Sequence, residues 1–458
     1  MSKAVLAGGT VVTATGSFPA DVLIEDSRIA ALGTALDVAD AERVDVSGRQ
    51  LLPGGVDVHT HLDAPFMGTI TADDFESGTI AAAFGGTTTL VDFAMQSRGQ
   101  KLGDTLLQWE RKAEDRALID YGFHVAITDL YPGALADMGA LVSSGVTSFK
   151  IFTAYKGQIM LHDGEVYQVI RQAGRLGATV CIHAENGDVI DVLAAELVAT
   201  GKTGPKFHEV SRPAATEVEA VRRCIAVARM AEGPIYFVHL STQGAAEAVA
   251  EARVQGWPVA GETCTHYLLL GPEEYDKPEF EGAKVVLTPP LRGERERAAL
   301  WQGLRTRALS VVSSDHCPFC FAGQKDLGRD DFRKIPNGGP GIEHRLPLLY
   351  GRGVRGGRIS LELFVDLVAT APAKFFGLFP RKGAIQVGSD ADIVVLDPNG
   401  ETHIDAESQH QKLDYTPYED WTIPGRIERV YSRGELIVEG DQLLAKPGRG
   451  SFLKRQPL

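Results

Sequence analysis

Three features are scarce or missing in this sequence of 458 residues: cysteine, excess positive charge and long apolar runs. No apolar stretch reaches the roughly 18 residues that a membrane-spanning helix needs. Sixty acidic against 46 basic residues leave a formal net charge of −14, which disfavours non-specific binding to nucleic acid or anionic membranes, since both require basic patches. Five cysteines, an odd number in a long chain, do not suggest a disulfide framework. We therefore expect an ordinary globular protein with reduced thiols.

The N-terminal segment MSKAVLAGGTVVTATG has one early lysine and a short apolar stretch, as a secretory signal peptide would. Its glycines, and its passage into ADVLIEDSRIAALG, which alternates like a strand, favour folded β-structure instead. We therefore expect a cytoplasmic protein.

Apolar, β-branched runs alternate with helical stretches such as TLLQWERKAEDRALID through the middle of the chain. This alternation indicates a parallel sheet covered by helices. His59 and Asp315 are 256 positions apart, close to the roughly 250 residues of a (β/α)8 barrel. Eight strands are predicted, at residues 55–61, 87–95, 121–128, 147–154, 178–184, 234–241, 258–264 and 310–316.

Short strands and turns make up both ends of the chain. Residues 1–52 and 380–458 are each too short to form a core alone, and we expect them to pair into one β-sandwich domain, the last residues being partly a tail. Residues 53–379 would form the barrel. The predicted fold class is therefore α/β, a (β/α)8 TIM-like barrel flanked by a β-sandwich built from both termini.

Side chains that bind metals fall at the ends of five predicted barrel strands. His59 and His61 stand one residue apart on the first strand, so both point to the same face. Active sites of such barrels lie at the C-terminal ends of the strands. Any one of these residues has a structural explanation, but together they predict a metal site at the barrel mouth. The candidate ligands are His59, His61, Lys150, His183, His239 and Asp315.

Lys150 is the unusual member of this set, because an ammonium has three donors and no lone pair. Four neutral histidines and one aspartate would leave two zinc ions, each +2, with a net charge of +3. Reaction of the Lys150 amine with CO₂ would give an anionic carbamate whose two oxygens bridge both ions. A solvent-facing lysine is a poor alternative, since TSFKIFTA is a largely apolar strand.

The whole chain resembles the cyclic amidohydrolases, specifically the dihydropyrimidinase/hydantoinase family. The motifs that carry the resemblance are GGVDVHTH, SFKIF, HAEN, GKTGP, VHLS, PPLR, DHCPF, IPNG and GSDADIVVLDP. The resemblance implies two Zn²⁺ per subunit in a homotetramer. It implies that His59, His61 and Asp315 bind one ion, that His183 and His239 bind the other, and that N6-carboxylated Lys150 and a hydroxide bridge them.

The activity that the resemblance implies is ring opening of dihydropyrimidines and 5-substituted hydantoins, by attack of the bridging hydroxide on the cyclic amide carbonyl. Asp315 would transfer the proton and Tyr155 would donate a hydrogen bond to the oxyanion. Backbone groups of Thr288 and Asn337 would hold the imide, although many relatives have serine in place of Thr288. Leu62, Phe152 and Ile159 are expected to line the pocket for the ring substituent.

Four other functions are alternatives to this one. Allantoinase shares this chemistry and stays open. Dihydroorotases commonly place an arginine just after the H-x-H, where this chain has Leu62 and Asp63. The non-catalytic collapsin-response proteins lack several ligands that this chain keeps. A mononuclear deaminase would not need Lys150.

Overall fold

The computed structural model describes residues 3–457. Met1, Ser2 and Leu458, which fall within the predicted terminal domain, lie outside the described residues. The strands are β1 (Lys3–Ala7), β2 (Thr10–Thr13), β3 (Gly16–Pro19), β4 (Asp21–Glu25), β5 (Arg28–Gly33), β6 (Glu42–Asp45), β7 (Gln50–Pro53), β8 (Gly55–Thr60), β9 (Pro65–Phe66), β10 (Thr69–Ile70), β11 (Thr87–Met95), β12 (Asp120–Ala126), β13 (Ser148–Phe152), β14 (Thr179–His183), β15 (Ile235–Phe237), β16 (Val259–Cys264), β17 (Val311–Ser313), β18 (Ile393–Ile404), β19 (Trp421–Ser432), β20 (Glu435–Glu439) and β21 (Gln442–Leu443).

Helices follow most of the strands between β8 and β17. The α-helices are α1 (Phe75–Phe84), α2 (Leu102–Ala113), α3 (Ala134–Ser143), α4 (Asp163–Arg175), α5 (Gly187–Ala199), α6 (Lys206–Val210), α7 (Ala214–Ala231), α8 (Gln243–Val254), α9 (Thr265–Leu269), α10 (Glu294–Arg305), α11 (Arg345–Leu348), α12 (Leu361–Val365) and α13 (Ala371–Phe375). Short 3₁₀ turns cover Pro272–Asp276, Glu281–Val285, Lys325–Gly328 and Phe332–Lys334, and π-helical turns cover Leu349–Val354 and Asp366–Thr370. Among residues 3–457, no helix has both the length and the apolar character that crossing a bilayer demands.

The eight predicted barrel strands are all present and run parallel in the order β17-β16-β15-β14-β13-β12-β11-β8. The barrel closes where the end of β8 meets the segment after β17, through a bridge between Thr60 and His316. The His61 N–H also donates to the His316 carbonyl at 2.9 Å. This arrangement confirms the predicted fold class and brings the C-terminal strand ends to one mouth.

Local sequence explains the barrel elements. Eight of the nine residues of β11, TTTLVDFAM, are buried, as expected of a parallel strand covered on both faces. In α4 the buried residues are Val166, Val169, Ile170 and Ala173, spaced i, i+3, i+4 and i+7 along one helical face. This spacing packs α4 against the barrel.

Several barrel strands end earlier than predicted, and β15 and β17 are shortened most. β15 stops at Phe237 and β17 at Ser313, so His239 and Asp315 lie two residues beyond the strands that were expected to carry them. Both residues adopt a left-handed backbone, with φ of 41° and 48°, which does not continue a β-ladder.

The flanking segments form two sheets, β5-β4-β1-β6 and β21-β20-β19-β18-β7-β2-β3. The two ends of the chain join where Leu52 of β7 lies opposite Val394 of β18. The apolar core of this region combines residues from both ends, among them Leu6, Val22, Leu51, Ile393, Val395 and Tyr431. A flanking β-sandwich built from both termini is therefore confirmed as part of the fold class, while the domain boundaries stay a prediction.

The C-terminal tail returns to the barrel. The N–H of Leu453 donates to the carbonyl of Tyr121 in β12 at 2.7 Å. The Arg455 guanidinium is buried and donates to Ser148 Oγ at 2.8 Å and to the Phe123 carbonyl. The tail thereby supplies hydrogen bonds to β12 and β13, the latter being the strand that carries Lys150.

Arg455→Met is expected to lower the free energy of unfolding by about 2–4 kcal/mol, because it leaves buried acceptors without donors. Urea denaturation checks this value. Lys454→Met removes a neighbouring exposed charge and should change stability by less than about 0.5 kcal/mol. Equal stability of the two variants would contradict the role assigned to Arg455.

Candidate functional site

One cavity of about 550 Å³, counting its solvent-open entrance, lies at the barrel mouth. This volume suits a small cyclic molecule. All six candidate ligands contribute to its wall, which is lined by His59, His61, Ala64, Pro65, Phe66, Met95, Lys150, Phe152, Tyr155, His183, His239, Thr288, Asp315, Cys317, Asn337 and Gly338. The residues predicted from five different strands therefore meet around one space.

His59, His61 and Asp315 form the first cluster. Nε2 of His59 lies 2.9 Å from Oδ1 of Asp315, and Nε2 of His61 lies 3.4 Å from the same oxygen. The two imidazole rings are edge-to-face, with centroids 5.2 Å apart. One donor atom from each residue lies within 4.8 Å of the others, as in a set that can hold one metal ion.

His183, His239 and Lys150 form the second cluster beside the first. Nδ1 of His183 is 2.9 Å from Nε2 of His239, and the His239 ring centroid is 5.3 Å from that of His59. Lys150 is 1% exposed. Its Nζ lies 4.9 and 5.0 Å from the centroids of two phenylalanine rings. The amine is therefore held inside the cavity wall, away from bulk solvent.

Two buried glutamates orient the histidines. The Nδ1–H of His59 donates to Oε1 of Glu262 at 2.5 Å, and the Nε2–H of His183 donates to Oε2 of Glu185 at 2.9 Å. A carboxylate on one ring nitrogen fixes the tautomer and leaves the other nitrogen's lone pair free for a metal. Arg212 donates to the same oxygen of Glu185 at 2.9 Å and so neutralises it.

Unsatisfied ring nitrogens test whether these residues suit a metal. Nδ1 of His239 and Nε2 of His59 are buried and have no hydrogen-bond partner. The latter has an ion-pair contact instead, 2.9 Å from Oδ1 of Asp315. Buried polar atoms normally find partners, and imidazole nitrogen with carboxylate oxygen is a donor set typical of zinc. The residues therefore fit a metal centre.

Burial disfavours the protonated forms of several side chains in the site. It lowers the pKa of His61 to about 4 and that of His239 well below its usual value. It lowers the pKa of the Lys150 ammonium to about 8. Because the pKa of Lys150 is lowered, this residue is a neutral, nucleophilic amine in about a tenth of the molecules at pH 7.

His59 behaves in the opposite way. Burial opposes its protonation, but the negative charges of Asp315 and Glu262 outweigh burial and raise the pKa of His59 to about 9. The same attraction outweighs burial at Asp315 and holds the pKa of that carboxyl well below its usual range. Binding of a cation, whether a proton or a metal ion, is therefore strongly favoured between His59 and Asp315.

Tyr155, Thr288 and Asn337 line the cavity together. Tyr155 follows β13 and adopts a left-handed backbone with φ of 65°. His239 and Asp315 share this conformation, which costs about 1–3 kcal/mol at a non-glycine residue and clusters at functional sites. The three residues predicted to contact the substrate thus adjoin the candidate ligands.

The three residues expected to line the substituent pocket differ in their placement. Phe152 lies on the cavity wall. Leu62 is fully buried and packs over Gly78 of α1, close enough that a Cβ there would lie 2.3 Å from a Leu62 methyl. Ile159 is partly buried and, within the described part of the chain, is not on the wall of this cavity. Pro65 and Phe66 of β9 stand there instead.

Asp92 of β11 is a site residue that sequence reasoning missed. It is fully buried and accepts hydrogen bonds from Thr60 Oγ1 at 2.7 Å, the Leu62 N–H at 2.9 Å and Trp109 Nε1 at 3.2 Å. Burial outweighs these bonds and raises the pKa of Asp92 to about 7. Its contacts flank His61 and fix the end of β8. Its presence in an apolar run, like that of Glu262 in PVAGETC, was the available signal.

Cys264 and His266 also come near Asp315, with one donor atom of each residue within 4.8 Å of the others. Burial raises the pKa of the Cys264 thiol well above its usual range. Neither residue is among the described residues that line the cavity. This group therefore belongs to the packing behind the site.

Known proteins with similar sequences and structures belong to a family of hydrolases. A profile of the amidohydrolase family matches residues 50–437. The D-hydantoinases of Geobacillus stearothermophilus and Streptomyces coelicolor are 48% and 49% identical over 448 and 459 residues, which cover 98% and 99% of this chain and 95% and 98% of theirs. The crystal structure of the dihydropyrimidinase from Brevibacillus agri superposes with a TM-score of 0.98 at 47% identity, with 99% of each chain covered.

The chain belongs to the amidohydrolase family of enzymes. Within this family it groups with the D-hydantoinases and dihydropyrimidinases along its whole length, which confirms the resemblance seen in its motifs.

Glu262→Gln is expected to weaken metal retention about 10- to 100-fold, because an amide orients the His59 ring less well and does not raise its basicity. Metal content after dialysis against graded chelator measures this change. Glu196→Gln, at an exposed position of α5, is the matched control. Equal retention by both variants would contradict the orienting role of Glu262.

Proposed function

We propose that this protein hydrolyses cyclic amides, opening the rings of dihydropyrimidines and 5-substituted hydantoins. The observation that carries the proposal is the meeting of six ligand-type side chains with Tyr155, Thr288 and Asn337 around one cavity of suitable size. The names of its whole-length relatives support the same substrates.

Two zinc ions are proposed as the resident cofactor. His59, His61 and Asp315 would hold one, and His183 and His239 the other. Bound here, the metals would supply Lewis-acid polarisation of a carbonyl and water with a lowered pKa. The orphaned ring nitrogens of His59 and His239 support this assignment.

Lys150 would join the two ions as a carbamate. A buried ammonium beside two divalent cations is electrostatically unfavourable, and Asp315 is the one anionic residue among the six candidate ligands. The ammonium first loses one proton, and joining the neutral amine nitrogen to the carbon of CO₂ releases a second, so the side chain changes from cationic to anionic. The lowered pKa of Lys150 supports this step because only the neutral amine attacks CO₂.

The chain's other residues would bind and orient the ring. The backbone groups of Thr288 and Asn337 would hold the imide, and Phe66 and Phe152 would contact the ring substituent; all four residues line the cavity. Burial raises the pKa of Tyr155, against the lowering effect of Arg212, so its hydroxyl stays protonated as a hydrogen-bond donor. Tyr155 would stabilise the negative oxygen that develops on the attacked carbonyl.

Asp315 would move the proton. Its carboxylate accepts a proton from the attacking water while the water oxygen bonds to the ring carbonyl carbon. It then gives this proton to the ring nitrogen as the carbon–nitrogen bond breaks. One water is consumed, and a carboxylic acid and an N–H group are formed. The low pKa of Asp315 keeps it deprotonated in the resting site.

A substrate panel tests the proposal. Dihydrouracil and 5-substituted hydantoins should be turned over, while dihydroorotate should not, because no arginine follows His61 to meet its carboxylate. The assay compares dihydrouracil, D- and L-5-substituted hydantoins, allantoin and dihydroorotate, with metal analysis of the same sample. Turnover of allantoin alone would replace the proposed substrates by those of an allantoinase.

Lys150→Ala is expected to lower kcat/KM at least about 10³-fold, since it removes the bridge and several kcal/mol of charge stabilisation. Metal analysis should show fewer than two ions per chain. Short carboxylic acids added to the variant should restore part of both quantities by replacing the missing anion. Lys446→Ala, at an exposed position, should behave as the parent. Full metal content without the amine would contradict the bridging role.

A further inference from the structure

Lys325 is a fully buried lysine outside the catalytic cluster. It begins a 3₁₀ turn in the loop after Asp315. Its Nζ donates to the carbonyls of Val286 at 2.7 Å, Pro336 at 2.7 Å and Gly338 at 2.6 Å. The three donors of the ammonium are thereby all used.

The acceptors belong to the two segments that carry the proposed imide contacts. Pro336 and Gly338 flank Asn337, and Val286 lies two residues before Thr288. The Gly338 N–H donates to the same Val286 carbonyl at 3.1 Å. Lys325 therefore joins the Thr288 segment to the Asn337 segment at one point.

These bonds fix the direction of the peptide groups around Asn337. The C=O and N–H of a trans peptide point in opposite directions. Holding the Pro336 carbonyl therefore sets where the Asn337 N–H points, and holding the Gly338 N–H sets where the Asn337 carbonyl points. At Gly338 (φ 151°) a Cβ would lie 2.2 Å from the Cys317 carbonyl oxygen, which ties this segment closely to the loop after β17.

The Thr288 segment is held in the same way. Lys325 fixes the Val286 carbonyl, and Nε2 of His208 donates to the next carbonyl, that of Leu287, at 2.9 Å. Both peptide groups before Thr288 are thus hydrogen-bonded on the side of their carbonyls.

A second buried lysine shows what is unusual about Lys325. Lys382 is equally buried, but it lies 2.7, 3.0 and 2.8 Å from the carboxylates of Asp120, Asp390 and Asp392, which outweigh burial and raise its pKa. Among residues 3–457, no carboxylate lies within ion-pairing distance of Lys325, and burial acts to lower its pKa. A buried charge without a counter-ion is costly, yet the three bonds of Lys325 all go to segments of the substrate site.

We propose that Lys325 is a positioning residue for imide recognition, whose ammonium sets the backbone groups of Thr288 and Asn337 against the substrate ring. The inference rests on the proposed cyclic-amide hydrolysis. Lys325 is not one of the candidate ligands and takes no part in proton transfer. Its loss should weaken ring binding more than it slows the reaction of bound substrate.

Lys325→Met tests this role and keeps the side-chain volume. KM for a 5-substituted hydantoin should rise about tenfold or more, as displaced contacts of this kind produce, while kcat stays within about threefold and both metals are retained. Amide hydrogen exchange should accelerate in peptides covering residues 336–339.

Lys284→Met is the matched control, since Lys284 lies two residues before Val286 and pairs with Glu281 rather than with backbone carbonyls. It should leave KM and exchange at 336–339 at parental values. Lys325→Arg keeps the charge but not the single three-donor nitrogen, and its KM should lie between those of parent and Lys325→Met.

Unchanged KM in Lys325→Met, or a joint fall of kcat, metal content and melting temperature, would overturn the inference. If Lys325→Met does not fold, the result for Lys325→Arg decides. A KM at least about threefold above that of the unmodified protein, with full metal content, supports the inference, and an unchanged KM overturns it. If the unmodified protein opens no cyclic amide, the proposed function is refuted instead. The amide hydrogen exchange of Lys325→Met against the unmodified protein still reports whether Lys325 holds the two segments.

Discussion

Four imidazoles, one carboxylate and one buried amine converge at the barrel mouth, and this convergence is the constraint on which the site depends. One ring nitrogen of His59 and one of His239 are buried without a hydrogen-bond partner, and burial disfavours protonation of His61, His183 and His239. Such a cluster of unpaired lone pairs is unfavourable unless cations sit among them. A lysine in its ammonium form would add positive charge beside the proposed metal ions, so the same constraint favours the carbamate proposed for Lys150.

The architecture meets this constraint by bringing distant parts of the chain to one end of a sheet. Parallel strands place their C-terminal ends at the same mouth, and two residues beyond β15 and β17 the chain turns to a left-handed backbone at His239 and Asp315. Buried carboxylates then hold the rings from behind: Glu262 holds His59 and Glu185 holds His183. The substrate side of the cavity has its own support in Lys325, whose ammonium donates to three backbone carbonyls.

The barrel strands could be predicted from the sequence because they leave local signals, and the candidate ligands could be picked out for the same reason. A continuous apolar run such as β11 stands out, and His59, His61 and Lys150 are conspicuous inside such runs. Supporting contacts leave no comparable signal. Glu262 is 203 residues away from His59, so only the fold reveals the pair. Leu62 was expected in the pocket because it follows His61, yet it packs over α1. The early ends of β15 and β17 depend on backbone angles that residue type alone does not encode.

The most direct test of the central claim is carbon-13 NMR of fully metal-loaded protein equilibrated with ¹³C-bicarbonate. A carbamate bound to Lys150 should give one additional carbonyl resonance that is absent from Lys150→Ala and accounts for one carbon per two metal ions. A fully active protein with two ions per chain and no such resonance would mean that Lys150 remains a free amine, and a carbamate-bridged metal centre would be ruled out.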